Sequence, residues 1–286
     1  MSQLKALDVQ LAGRARWRWG SLLRWVWISA VCVIIALPVY ITVVTALLPP
    51  ADVAAGRLWP ALGQLTLSNI KQALTTVPLT HQYLVSVAVT ILQTTAQLVT
   101  ASLAAYALVF PRWRGKTVAF AVIVATLAIP GESSVIPNFE LVTDLGLRDT
   151  IAGIVLPFLA VGYPVFLLRQ AFHDLPREIW EAGRLDGCGE FRSLWRIVLP
   201  MARPQLVTAA LWSALAAWNG YFWPLLITDS PNRRTIQVGL AQLVSGEATS
   251  PAVIYAGTLV VLLPTLLLVL AGQRFLVRGL ASRINA

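Results

Sequence analysis

The sequence predicts an all-α, polytopic membrane protein with six transmembrane helices. Of its 286 residues, 57% are hydrophobic and only 12% are charged, a composition too apolar and too poor in charge for an ordinary soluble domain. The mean hydropathy is +0.71, and the apolar residues collect in long runs. These observations indicate that a lipid bilayer surrounds most of the chain.

Six segments are long and apolar enough to cross about 30 Å of hydrocarbon at about 1.5 Å per residue. We predict them at 25–48, 83–109, 118–137, 151–168, 206–227 and 253–275. Kinks are expected at Pro38, Pro164, Pro224 and Pro264, because neighbouring groups in a membrane bundle can satisfy the carbonyls that a proline frees. The membrane domain, 25–276, lies between an amino-terminal arm, 1–24, and a tail, 277–286.

The basic residues predict the orientation of these segments. Of the 22 Lys and Arg residues, 17 lie in the arm, in 110–117, in 169–205 and in the carboxy-terminal tail. Because cytoplasmic loops retain positive charge, both termini are expected in the cytoplasm and the loops 49–82, 138–150 and 228–252 outside. The basic residues are spread between apolar runs, whereas nucleic acid needs a clustered basic face. No nucleic-acid partner is therefore predicted.

A polar island, Glu181–Pro204, interrupts the apolar sequence and predicts two short helices. Asp174 and Pro176 provide a cap and a first turn for the first helix, and Gly187 ends it, since glycine tolerates the left-handed terminal conformation. In the second helix an apolar face is predicted, and Pro200 is expected to end that helix. The residues of that face follow helical spacing: Phe191, Leu194, Trp195 and Val198. From the residues alone, a solvated amphipathic loop is an equally good interpretation.

The island contains a spacing that resembles the EAA loop of ABC importer permeases, in which EAA is followed by three residues, Gly, nine residues and Ile-x-Leu-Pro. The matching residues are Glu181, Ala182, Gly183, Gly187, Ile197, Leu199 and Pro200. Gly183 departs from the pattern, which has Ala there; it weakens the helix by about 1 kcal/mol but keeps the small surface that docking needs. Further stretches are similar to the maltose-type, carbohydrate-uptake permeases, specifically to the second permease subunit: LAAYALVF (Leu103–Phe110), DLGLRDTIAGIVLP (Asp144–Pro157), FLLRQAF (Phe166–Phe172) and WNGYFWPLL (Trp218–Leu226).

This resemblance implies an ABC importer type I permease fold in a bacterial inner membrane. It also implies three partners besides lipid: a second homologous permease, an ATPase dimer that holds ATP and Mg, and an extracytoplasmic substrate-binding protein. The loop 169–205 becomes the coupling segment, in which Glu181, Ala182, Gly183, Asp186 and Gly187 dock on the ATPase. This chain itself is expected to bind no cofactor and to catalyse no reaction. The tail arginines Arg274, Arg278 and Arg283 are expected either at the ATPase or at the membrane surface.

Polar and aromatic groups inside the membrane segments are candidates for the solute path, because they are costly in lipid. They are Gln93, Gln97, Tyr163, Trp218, Asn219, Tyr221 and Trp223. Aromatic faces stack on sugar C–H surfaces and amides pair with hydroxyls, which is consistent with a sugar, an oligosaccharide or a related polyol, glycerol phosphate included. Each residue is also explained by packing between helices. The loop 228–252, with Arg233, Arg234 and Glu247, is a candidate surface for the binding protein.

Three other functions compete with an ABC permease. An ion-coupled secondary transporter of a small polar solute usually shows internal repeats and carboxylates at the membrane midplane, but Glu132 and Glu140 are predicted near the outer end of the third segment. An intramembrane enzyme needs a base at depth, and both histidines fall in predicted loops. A channel would conduct without ATP. Gly115-Lys116-Thr117 is similar to the end of a nucleotide-binding P-loop. A P-loop, however, has another glycine five positions before Gly115, where this chain has Phe110.

Overall fold

The computed structural model describes residues 2–57, 59, 64–246 and 249–284, and in that part of the chain the regular structure is helical throughout. Glu247 and the side chains of Arg274, Arg278 and Arg283 lie outside what is described. The α-helices are α1 (Ser2–Leu47), α2 (Pro50–Ala54), α3 (Ser68–Thr76), α4 (Leu79–Val109), α5 (Lys116–Thr126), α6 (Val135–Asp144), α7 (Ile151–Val155), α8 (Gly162–His173), α9 (Arg177–Leu185), α10 (Glu190–Ser193), α11 (Leu199–Met201), α12 (Arg203–Trp218), α13 (Phe222–Ile227), α14 (Ile236–Ser245) and α15 (Pro251–Ile284). 3₁₀ turns lie at Gly131–Ser134, Leu156–Phe158 and Pro231–Arg233, and a π turn lies at Leu194–Val198.

Within the described residues, three stretches are long and apolar enough to cross a membrane: Leu23–Leu47, Leu79–Val109 and Pro251–Gly272. Two helix pairs, bent by 97° and 48°, raise the number to five if each pair is one span. The predicted segment 206–227 corresponds to α12 and α13, which are separated at Asn219–Tyr221. The helical membrane fold is confirmed, while the number of six spans stays a prediction.

Proline and glycine explain the two bent spans. The first bend lies in the break 127–130, which ends at Pro130, a residue with no N–H to continue a helix, and the second precedes Gly162. A Cβ at Gly162 would lie 2.8 Å from Thr126 Oγ1 and 3.0 Å from the Ile123 carbonyl, so glycine permits α8 to begin directly against α5. Of the predicted kinks, Pro164 lies in the first turn of a new helix, as does Pro224, whereas Pro38 and Pro264 lie inside continuous helices.

The chain divides into two compact units, residues 1–70 with 250–259 and residues 71–249 with 260–286. In the first unit, the buried Asn69 amide donates to the carbonyls of Ala46 and Leu48 at 3.0 and 2.7 Å. These carbonyls lie at the carboxyl end of α1, where the helix leaves them without a partner. Asn69 therefore fixes the start of α3 against the end of α1.

Helix α4 is the centre of the second unit, where it packs against α8, α12, α7 and α14. Its carboxyl end, with Tyr106 and Phe110, joins a buried cluster that includes Phe172 and Leu194. Nearer its amino end, Val89 belongs to a second cluster with α7 and α13. One uninterrupted helix thus contributes to both regions in which the sequence predicts function.

On the predicted outer side, Asp149 joins two loops. Its backbone is left-handed, with φ +56°, and its carboxylate accepts hydrogen bonds from the Ser230 hydroxyl and from the N–H groups of Asp229 and Ser230, the latter two at 3.1 Å. Arg148 pairs with Asp229 at 3.1 Å. Desolvation raises the pKa of Asp149, but the hydrogen bonds from Ser230 and Asp229 and the charge of Arg233 outweigh it and lower that pKa.

Candidate coupling segment and solute cavity

The first helix of the coupling segment is α9, and it begins one residue after Pro176, which is its N-cap residue. The predicted capping by Asp174 is wrong. Asp174 instead ends α8, where its N–H bonds to the Gln170 carbonyl at 3.2 Å. The reason is Pro176, which disfavours helical geometry in the residue before it and moves the start of α9 to Arg177.

The end of α9 follows the glycine chemistry predicted for it. Gly187 has φ +81°, its N–H bonds to the Arg184 carbonyl at 3.1 Å, and the Cys188 N–H bonds to the Gly183 carbonyl at 2.9 Å. This pair of bonds is a Schellman motif, which satisfies carbonyls that the helix end leaves free. The predicted left-handed helix terminus at Gly187 is confirmed.

The small size of Gly183 serves contact within the segment. Gly183 is buried, and a Cβ there would lie only 2.4 Å from Cδ1 of Ile197. The expectation that this glycine offers a docking surface to a partner is therefore corrected, since Ile197 of the second helix already covers it. Glu181, Ala182, Asp186 and Gly187 are exposed.

The second helix contains a π turn that changes its buried face. Leu194 and Val198 are each 1% exposed, as predicted, but Phe191 and Trp195 are 68% and 44% exposed, so half of the predicted face is wrong. The Leu199 N–H bonds to the Leu194 carbonyl, five residues back, and such a wider turn shifts the register of the side chains. Leu199 is consequently buried in place of the two aromatic residues.

Pro200 does not end this helix, which continues through Met201. The proline lies in the first turn of α11, directly after the π turn. At that position a missing N–H removes no hydrogen bond that α11 itself would make. The chain turns instead at Ala202, at φ −91° and ψ 18°. Pro200 itself is exposed.

A polar network attaches the segment to the membrane helix α4. The Tyr106 hydroxyl donates to Glu190 Oε2 at 2.6 Å and accepts from Trp180 Nε1 at 2.9 Å. The other carboxylate oxygen of Glu190 pairs with Arg184, whose guanidinium also lies 5.6 Å from the Trp180 ring. Three helices, α4, α9 and α10, therefore meet at Tyr106 and Glu190, and neither residue was singled out from the sequence.

Aromatic stacking reinforces this attachment. Phe110, one turn beyond Tyr106, stacks on Trp180 with 5.4 Å between ring centroids and contacts Phe172 of α8 at 6.4 Å. Both Phe110 and Phe172 are buried. Because aromatic pairs favour particular ring geometries, the contacts fix the angle of α9 as well as its position.

A cavity of about 330 Å³ lies in the second unit between α4, the bend before α6, the α7 region and the α12–α13 break. Of the candidate path residues, Gln93, Gln97, Tyr221 and Trp223 line it. The Gln97 amide donates to the Phe158 carbonyl at 2.8 Å, and its buried Oε1 has no partner. Gln93 is 8% exposed and makes no side-chain hydrogen bond within the described part of the chain.

The other three candidates lie outside the cavity lining. Trp218 is buried, donates to the Val261 carbonyl at 3.2 Å and meets Tyr83 edge to face. The Asn219 amide donates to the Leu215 carbonyl at 2.8 Å and accepts from Gln237 at 3.3 Å. Tyr163 packs on Trp212 at 4.6 Å. Trp218 and Asn219 thus have packing and helix-end contacts, whereas Tyr163 supports a residue of the wall.

The structure adds wall residues that sequence reasoning missed. Glu132 follows Pro130 at the 97° bend and lines the cavity, together with Trp212, Phe158 and Phe222. The sequence predicts Glu132 near the outer end of the third segment, and its place on the cavity wall depends on the break before Gly131. The Pro130-Gly131 pair was the available signal, since such a pair marks a turn.

Comparison with known proteins gives concordant results. The family described as binding-protein-dependent transport system inner membrane component matches residues 97–282. The sn-glycerol-3-phosphate transport system permease protein UgpE of Yersinia pestis bv. Antiqua (strain Antiqua) is 31% identical over 261 residues, which cover 87% of this chain and 92% of that protein. The arabinooligosaccharides transport system permease protein AraQ of Halalkalibacterium halodurans is 31% identical over 195 residues, 68% of this chain and 70% of that protein.

Among solved structures, a chain of a bacterial ABC transporter involved in the import of the acidic polysaccharide alginate has the same fold, with a TM-score of 0.80 and 24% identity. The alignment covers 90% of this chain and 96% of that chain. The helical arrangement is therefore shared over nearly the whole length of both.

Proposed function

This chain belongs to the family of binding-protein-dependent transport system inner membrane components, and from that premise we propose that it forms half of the permease of an ATP-driven importer. The other half is a second homologous permease. The solute is a sugar, an oligosaccharide or a related polyol, with glycerol phosphate among the candidates. Names of relatives support this range, since one is a glycerol-phosphate permease and another an arabinooligosaccharide permease.

The observation that carries the proposal is the position of α4. At one end, Tyr106 holds the coupling segment through Glu190 and Trp180. On the same helix, Gln93 and Gln97 form part of the cavity wall. A force applied to the coupling segment therefore reaches the cavity through one continuous helix.

The exposed residues Glu181, Ala182, Asp186 and Gly187 are the proposed docking surface for an ATPase dimer. ATP and Mg²⁺ belong to that dimer, and this chain supplies no catalytic residue. Ile179 and Leu185, 44% and 89% exposed on the same helix, add apolar surface of the kind that partner proteins cover. Gly183, Ile197, Leu199 and Pro200 belong to the framework that positions the surface.

The positive-inside distribution supports an orientation with both termini and the coupling segment in the cytoplasm. The loops joined by Asp149 and Ser230 then face outward, where an extracytoplasmic substrate-binding protein delivers the solute. The bound solute lies against Gln93, Gln97, Tyr221 and Trp223, whose amide and aromatic groups suit hydroxyl-rich molecules. Alternating access moves it inward when the ATPase dimer closes.

The experiment is uptake and ATP hydrolysis by the complete importer, both permeases with ATPase and binding protein, in proteoliposomes. Glu181→Lys and Gly187→Trp should leave the subunit inserted and the ATPase active, but should abolish solute uptake per ATP hydrolysed. Gly187→Ala, which has the same backbone strain without the bulk, and Glu140→Lys, outside the coupling segment, are controls. Normal uptake in both coupling variants, or uptake driven by an ion gradient without ATP, would contradict the proposal.

A further inference from the structure

The cavity wall contains a single formal charge. Within the described part of the chain, Glu132 is the one acidic residue that lines the cavity, and no Lys, Arg or His lines it. Glu132 lies at the sharp bend after Pro130, where the helix is interrupted, and its side chain is exposed in this subunit. A carboxylate thus faces the same space as the solute.

The remaining polar groups of the wall are neutral and have unused hydrogen-bonding capacity. Gln93 is more than nine-tenths buried without a side-chain partner, and the buried Oε1 of Gln97 accepts no hydrogen bond. An amide offers both donors and an acceptor, and a hydroxyl group can satisfy either. Trp212 and Tyr221 add aromatic faces to the same wall, which suit the C–H surface of a sugar ring.

Resting on the proposed function, we propose that Glu132 makes this wall selective for uncharged, hydroxyl-rich solutes and against phosphorylated or carboxylated ones. A phosphate monoester carries roughly −1.5 to −2 charges at neutral pH, and its repulsion from a carboxylate is stronger in a partly desolvated cavity than in water. An uncharged sugar or polyol meets no such repulsion and can donate a hydroxyl to the carboxylate. Glu132 therefore acts as a specificity-determining residue.

This selectivity distinguishes the chain from two of the proteins it resembles. One of those proteins is named for sn-glycerol-3-phosphate and the other for the acidic polysaccharide alginate, both of which are anions. The arabinooligosaccharides named for a third relative are uncharged. The wall chemistry groups this chain with the third.

Protection of a thiol placed in the wall tests the inference without the binding protein. Ala216 lines the cavity and is exposed, so Ala216→Cys is introduced into the complete permease–ATPase complex after Cys32→Ser and Cys188→Ser. Alkylation by N-ethylmaleimide is measured against rising concentrations of an arabinooligosaccharide or of sn-glycerol 3-phosphate. The oligosaccharide should protect the thiol at a concentration at least about tenfold lower than the phosphate does.

Charge reversal provides the second arm. Glu132→Arg should lower the concentration of sn-glycerol 3-phosphate needed for half protection by at least about tenfold, and Glu132→Gln should give an intermediate value. Glu140→Arg and Glu140→Gln, on the neighbouring helix but outside the wall, should change nothing. Equal protection by both probes with Glu132 in place, no protection by either probe, or the same response to Glu132→Arg and Glu140→Arg would overturn the inference.

The proposed function and the proposed role of Glu132 can be refuted separately. Loss of ATP-driven uptake in the reconstituted importer contradicts the proposed function, whereas thiol protection reports on the wall whether or not ATP drives transport. Membrane insertion of every variant is checked by quantifying the subunit in purified complexes. Glu132→Gln keeps the shape of the side chain and thus tests charge if Glu132→Arg disturbs assembly.

Discussion

Removal of the Tyr106 hydroxyl should loosen the coupling segment from α4. In Tyr106→Phe, Glu190 loses a donor at 2.6 Å and Trp180 loses its acceptor at 2.9 Å. A hydrogen bond to a charged group contributes about 1.5–3 kcal/mol, and an orphaned buried donor costs about 1–3 kcal/mol. The Glu190 side chain is 47% exposed, so water replaces much of its loss, and the net effect is about 2 kcal/mol.

A native thiol provides the assay for this loosening. Cys188 is half-buried directly after Gly187, and its alkylation in the Cys32→Ser importer reports local opening between α9 and α10. A loss of about 2 kcal/mol in Tyr106→Phe allows the alkylation rate of Cys188 to rise by at most about 30-fold. Tyr83→Phe, the same substitution on the same helix, is the control because the Tyr83 hydroxyl makes no hydrogen bond within the described residues. Equal alkylation rates in the two variants would refute the role of the network.

The contact of Gly183 with Ile197 and that of Asp149 with Ser230 can each be tested by substitution. Gly183→Ala should gain about 1 kcal/mol of helix propensity but place its Cβ against Ile197 Cδ1, and Ile197→Val, which removes that atom, should relieve the clash. A double-mutant cycle of thermal unfolding should therefore show favourable coupling between the two substitutions, whereas strict additivity would contradict the contact. The lowered pKa of Asp149 means that its contribution to stability is complete above the ordinary aspartate range of about 3.9 and is lost as pH falls through the folded-state pKa. In the native protein, the outer loops should therefore lose protection from hydrogen exchange as the pH falls, and Asp149→Asn should abolish this dependence on pH. The same pH dependence in the variant would contradict the prediction.

Local chemistry made part of the coupling segment predictable. Gly187 ends α9 because a left-handed residue followed by polar chain is the common way to end a helix, and this requires no knowledge of the rest of the fold. The exposure of Phe191 and Trp195 was not predictable in the same way. It depends on the π turn at Leu194–Val198, which lies directly before Leu199 and Pro200, and regular spacing does not reveal such a turn.

The lining of the cavity was also only partly predictable from the sequence. Gln93 and Gln97 were found because a four-residue spacing puts two amides on one face of an apolar helix. Trp218 was placed with them from its neighbours, yet the break after α12 leaves it buried against Val261. The place of Glu132 on the cavity wall depends on the break before Gly131, which a continuous third segment does not include. In both cases the direction of the chain after a break decided the outcome, and hydropathy carries no information about that direction.

The continuity of α4 has a mechanical consequence. Gln97 and Tyr106 are separated by nine residues, about 14 Å of helix, and α4 carries no proline or glycine between Leu79 and Val109. Such a rod has no hinge at which a displacement could be absorbed. A tilt of about 10° about Tyr106 therefore displaces the backbone at Gln97 by about 2 Å, which is enough to exchange one set of hydrogen bonds for another. In mechanical terms, α4 converts a rotation at Tyr106 into a displacement of the Gln93 and Gln97 amides.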